Sequence, residues 1–110
     1  MKLRLSGLSV IVLLCLWTSV FAQTEEVWID VRSALEHKVD SIEGDLRVTH
    51  TEIVSEVEKL FPDKSVPIKL YCRSGGRAGK AAAALAEAGY QNVENMGGIN
   101  DARKVRKLTN

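Results

Sequence analysis

One cysteine in this chain sits where it could act as a nucleophile. Cys72 is followed by Arg73, Ser74, Gly75, Gly76 and Arg77. The two glycines let the backbone turn with positive φ and approach the sulfur closely. If the amides of residues 73–77 curl toward the thiol, they form an anion-binding nest. A helix starting just beyond the loop, at about Ala78, adds roughly half a positive charge at its N-terminus. Arg73 and Arg77 add whole charges. Each effect favours thiolate over thiol, and the thiolate is the reactive form.

The elements that would present this loop can be read from pattern. Pro67-Ile68-Lys69-Leu70-Tyr71-Cys72 reads as a strand, with proline at its start where no ladder bond is needed. Ala78 to Ala88 reads as a helix rich in alanine and leucine, closed by Gly89 at C′. Upstream, Val27-Trp28-Ile29-Asp30-Val31 reads as a buried strand. Ser33 with Glu36 makes a capping box for a short helix. Ile42 to Val48 fits no single element and holds a turn at Gly44. Thr49 with Glu52 repeats the capping-box spacing, and Ile53, Val54, Val57, Leu60 and Phe61 share one helical face until Pro62-Asp63. Tyr90 to Asn95 reads as a last strand, Gly97-Gly98 as a turn, and a basic tail follows. Strands alternating with helices predict an α/β domain in three layers, α/β/α, around a mostly parallel central sheet. Sites in such folds form where strand C-termini meet helix N-termini, and Cys72 lies at such a junction.

The first 22 residues read differently. Lys2 and Arg4 precede an apolar run from Leu8 to Trp17, and Val20-Phe21-Ala22 fits a small-residue cleavage site. The expectation is a cleaved signal peptide over 1–22 and a single domain over 23–110. The run is too short for a stable membrane span. Losing Lys2 and Arg4 turns 15 basic and 14 acidic residues into 13 and 14, a net charge of −1. That balance gives no reason to expect a nucleic-acid partner. Cys15 leaves with the leader, and Cys72 is then unpaired in a compartment where cysteines usually pair, which suggests a reactive thiol.

Cys72-Arg73-Ser74-Gly75-Gly76-Arg77 resembles the active-site loop of rhodaneses: cysteine, two residues, glycine, any residue, arginine. Trp28-Ile29-Asp30-Val31-Arg32 resembles the family's opening strand. Gly89-Tyr90 through Asn92-Val93, then Gly97-Gly98-Ile99, resembles its closing motif. A leader plus one short domain is similar to the small periplasmic rhodaneses of the phage-shock type. The resemblance implies a thiosulfate sulfurtransferase that carries a persulfide on Cys72, needs no metal or organic cofactor, and takes a thiosulfate-like anion as donor and a thiophilic acceptor such as cyanide or a thiol. Cys72 matches the nucleophile, and Gly75 and Arg77 the signature positions. Arg73, Ser74 and Gly76 complete the expected persulfide-binding loop. The expected location is the periplasm, and the expected state a monomer or weak dimer. Two stretches depart from the pattern. Asp40-Ser41-Ile42-Glu43-Gly44-Asp45 stands where a histidine-isoleucine-glycine-alanine-like stretch is usual, and Asp101-Ala102-Arg103 where a tryptophan is common.

The remaining residues have plainer readings. Asp30 and Arg32 are expected to anchor loops rather than touch substrate. Arg77 could bind substrate or pin the loop. Trp28 and Tyr71 are expected in the core. His37 and His50 lack a partner at metal-ligand spacing. Arg103, Lys104, Arg106 and Lys107 read as a solvated helix face. A cysteine phosphatase would want a histidine where Tyr71 stands and one more residue before Arg77. A redox protein would want a second cysteine where Gly75 stands. A non-catalytic binding module is the remaining alternative.

Overall fold

The computed structural model describes residues 25–109. The leader read in residues 1–22 lies outside them. Among the described residues no helix is long and apolar enough to cross a membrane.

Four strands form one parallel sheet: β1 (Val27–Asp30), β2 (Leu46–Arg47), β3 (Ile68–Cys72) and β4 (Val93–Gly98), in the order β2-β1-β3-β4. The helices are α1 (Ala34–Val39), α2 (Ile53–Leu60), α3 (Gly76–Glu87) and α4 (Ile99–Val105). Side chains alternate across a strand, so the two middle strands feed two cores. Ile29, Ile68, Leu70 and Cys72 face α2 and α3, meeting Ile53, Val57, Ala78, Ala81 and Leu85. Tyr71 faces the other way, with Ile42, Ile99 and Ala102, and Trp28 and Met96 pack against them. The predicted α/β/α layering and parallel sheet are therefore present. Tyr71 belongs to the core, as expected, and Trp28, partly buried, packs against it.

Local signals placed most boundaries. Ser33 caps α1, with both halves of its capping box made. After α3, Tyr90 N–H reaches the Leu85 carbonyl and Gly89 N–H reaches that of Ala86, a Schellman pair with Gly89 at φ 101°. The second capping box did not form. Glu52 is the N-cap of α2 without a side-chain bond, and the Thr49 hydroxyl donates to the Glu52 carboxylate instead of accepting an amide. The last strand starts and ends three residues later than its hydrophobic pattern suggested, because Gly97-Gly98 belongs to β4 and not to a free turn.

The basic tail needs a larger correction. Lys104 and Lys107 are exposed as expected, but Arg103 is buried and Arg106 half-buried. Arg103 is 6% exposed and binds Asp40 through Nη1 at 3.1 Å and Nη2 at 2.6 Å. Arg106 binds Asp45 at 2.7 and 3.0 Å and lies 4.1 Å from the centre of the Trp28 ring. The departing segment 40–45 thus supplies two carboxylates that fasten α4, and Ala102 is buried beneath it.

The sheet order reverses direction between β1 and β3. The carboxyl ends of those two strands flank the crevice where α/β folds hold ligands. Arg32 follows one strand and Cys72 ends the other.

Candidate functional site

Cys72 is the last residue of β3, a free cysteine only 1% exposed. The loop after it folds back over its sulfur. Gly75 N–H donates to Sγ at 3.0 Å. Burial alone would push the thiol up, but backbone N–H groups of Ala78, Ser74, Gly75 and Arg77 act against it and hold Cys72 below the usual thiol range. Of the amides expected in the nest, that of Gly75 makes a hydrogen bond to the sulfur.

Its geometry depends on one glycine. Gly75 has φ 103°, in the left-handed region, and caps α3. The reversal there lets amides on both sides of it face one point. Gly76 was expected to share this role; it is instead the first residue of α3, so the helix starts two residues before Ala78. The helix N-terminus consequently sits directly against the sulfur.

The two loop arginines part ways. Arg77 binds Glu36 in a two-pronged pair, Nη1 to Oε1 at 2.7 Å and Nη2 to Oε2 at 2.9 Å. Glu36 also accepts the Ser33 amide and hydroxyl. The Arg77 bonds, followed by those from Ser33, hold the Glu36 carboxyl far below its usual range. Arg77 thus joins the loop to α1 through a carboxylate, and not through the backbone carbonyls expected for a pinning role. Arg73 and Ser74 are exposed, and Arg73 has no ion pair among the described residues. Glu36 escaped the sequence reading as a site residue. Its only signal was the capping box, which explains a helix start without any partner in the loop.

Asp30, fully buried at the end of β1, is a structural hub. It accepts Arg32 Nε at 2.9 Å and Nη2 at 2.8 Å, and meets His37 Nδ1 at 2.9 Å. Burial would raise its carboxyl; the Arg32 and His37 bonds outweigh that and keep it ionised. Arg32 Nη2 also reaches the Asp40 carbonyl. These contacts tie β1 to α1, the anchoring expected for Asp30 and Arg32. They also account for His37.

A cleft of about 550 Å³ opens at the crevice. Arg32, Glu36, Arg73 and Ile99 are among its lining residues. Leu35 and Val39 are both exposed along it. A small oxyanion entering there meets the unpaired guanidinium of Arg73 beside the sulfur loop. The Cys72 sulfur lies under the loop, 1% exposed and outside the lining of this cleft; a thiolate held by amides can attack an electrophilic atom without a side-chain base.

The model of the rhodanese-like domain matches residues 18–104. The chain is 36% identical over 76 residues to the thiosulfate sulfurtransferase PspE of Escherichia coli strain K12, covering 69% of this chain and 73% of that protein. It is 32% identical over 89 residues to a tRNA uridine(34) hydroxylase of Erwinia tasmaniensis, spanning 76% of this chain but only 25% of that enzyme. Among solved structures, a rhodanese with anions from E. coli superposes with a TM-score of 0.67 at 35% identity, covering 70% of this chain and 91% of that one. A rhodanese-like domain from Anabaena, 21% identical and covering 77% and 97%, shares the fold with a TM-score of 0.68.

Proposed function

Because this chain belongs to the rhodanese family, we propose that it is a thiosulfate sulfurtransferase working through a persulfide on Cys72. The observation that carries this reading is a buried, free sulfur at the end of β3 that accepts the Gly75 amide at 3.0 Å, directly before the N-terminus of α3. The Cys72 thiolate attacks the outer sulfur of thiosulfate. A sulfur–sulfur bond forms to Sγ as the bond to the sulfonate breaks, and sulfite departs with the electron pair. The persulfide's charge rests on the outer sulfur, at the mouth of the amide nest. Cyanide or a thiolate then takes that sulfur, and the Cys72 thiolate is restored. Electron count and charge balance in both steps, so neither metal nor organic cofactor enters them.

Within this reading Arg73 attracts the anionic donor. Gly75 and Ser74 shape the nest, Gly76 opens α3 behind it, and Arg77 holds it against α1. The leader read in residues 1–22 supports export to the periplasm, leaving 23–110 as the mature domain, a monomer or weak dimer.

Intact mass of the mature protein after incubation with thiosulfate tests the chemistry. The expected result is a gain of about 32 daltons, one sulfur atom, lost on adding cyanide and absent in Cys72→Ser. The same spectrum reads the cleavage site. A folded protein with a free thiol and no adduct would instead favour a binding module.

A further inference from the structure

The amides around Cys72 point inward only while the carbonyls of the same loop are held outward. The Gly75 carbonyl accepts the Gly79 amide of α3 at 2.9 Å, and β4 adds a second hold on it. The register of β4 against β3 skips: Leu70 pairs with Asn95, yet Cys72 pairs with Gly98, so two steps on one strand face three on the other. Such a bulge re-aims a side chain beside a site. Here it turns Asn95 onto the loop. Asn95 Nδ2 donates to the Gly75 carbonyl at 3.0 Å, and Asn95 Oδ1 accepts the Gly97 amide at 2.9 Å. Gly98 packs so closely under the Arg73 carbonyl that a Cβ there would collide with it, and Asp101 Oδ2 accepts the Gly98 amide at 2.8 Å.

We propose that Asn95 is a positioning residue for the Cys72 sulfur, its carboxamide bridging Gly75 and Gly97 so that the loop keeps its amides on Sγ. The role needs a donor and an acceptor on one short side chain. Leucine has neither, and aspartate keeps only the acceptor while adding a charge beside a carbonyl. Charged groups near the sulfur loop are Arg73 within it, Arg77 paired with Glu36 on α1, Asp30 paired with Arg32 at the end of β1, and Asp101 on α4 held to Gly98. None of them contacts Asn95 in the bonds above.

The inference rests on Cys72 as the reactive thiolate, and its test needs no sulfur donor. The rate of iodoacetamide alkylation of Cys72 is followed against pH in wild type, Asn95→Leu and Asn95→Asp. Asn92→Leu is the control. Asn92 donates to the Ser65 carbonyl at 2.7 Å, a bond of the same kind remote from the loop. The expected result is a profile displaced to higher pH in both Asn95 variants, with neutral-pH alkylation about fivefold slower, the scale of one neutral hydrogen bond. The control profile should coincide with wild type. Coincident profiles for a folded Asn95→Leu, or an equal displacement in Asn92→Leu, would overturn the proposal. Should Asn95→Leu not fold, Asn95→Asp decides by the same criterion. Failure of persulfide formation in the mass experiment, with these profiles as expected, would count against the sulfurtransferase reading alone.

Discussion

Arg77 and Glu36, 41 residues apart in sequence, meet through two hydrogen bonds of 2.7 and 2.9 Å and join the sulfur loop to helix α1. Both side chains are partly screened from solvent, at 32% and 27% exposure. The pair makes this arginine a brace between the loop and α1.

Glu36→Gln keeps the shape and removes the charge. It should lower stability at neutral pH by about 1 kcal/mol, measured by urea unfolding. The sign with pH follows from the depressed carboxyl of Glu36. Its contribution is full above the ordinary glutamate value and fades as pH falls from there toward the lower folded value. Wild type and variant should therefore converge in acid. A gap that stays constant from neutral pH into acid would show that the charge of Glu36 contributes nothing.

The nest lowers the thiol's titration. Alkylation of Cys72 should persist below the ordinary thiol midpoint of about 8.5. A Gly75→Val variant should lose that reactivity and at least tenfold in transfer, while far-ultraviolet circular dichroism reports an intact fold. Valine resists φ 103°, and its Cβ would crowd Gly97 Cα at 3.3 Å. Full activity in this variant would show that the turn is dispensable.

Arg73 stands exposed on the cleft wall without an ion pair among the described residues. Arg73→Ala should lower kcat/KM for thiosulfate at low salt by about fivefold, with the difference shrinking at high salt as screening removes the attraction. An unchanged kcat/KM at low salt would remove Arg73 from the donor site.

Arg106 joins Asp45, which also accepts the Tyr71 hydroxyl at 2.6 Å, and covers the Trp28 ring. Arg106→Ala leaves the 4% exposed Asp45 carboxylate with one partner fewer. The expected loss is about 2 kcal/mol. It should appear in urea unfolding followed by Trp28 fluorescence, with little change in thiol reactivity. A change below about 0.5 kcal/mol would mean that the pair behaves as an exposed one.

Several features were legible in the residues alone. Pro67 followed by Ile68-Lys69-Leu70-Tyr71-Cys72 marked a strand, with Tyr71 expected in the core. The loop from Cys72 to Arg77 announced a thiolate nest, and Gly89 announced the end of α3. Each depends on atoms within a few residues of one another, where backbone sterics and local hydrogen bonds decide the outcome. The start of α3 at Gly76, the bulge that aims Asn95, the burial of Arg103 and the partner of Arg77 were not legible. These depend on which distant surfaces dock, and the same arginine reads as a substrate ligand, a brace or a solvated charge until packing sets a carboxylate beside it. Sequence alone therefore determined the sulfur, its loop and the layers that present them. The tertiary structure decided which side chains hold that loop still, because amides stay on a buried sulfur only when something outside the loop restrains them.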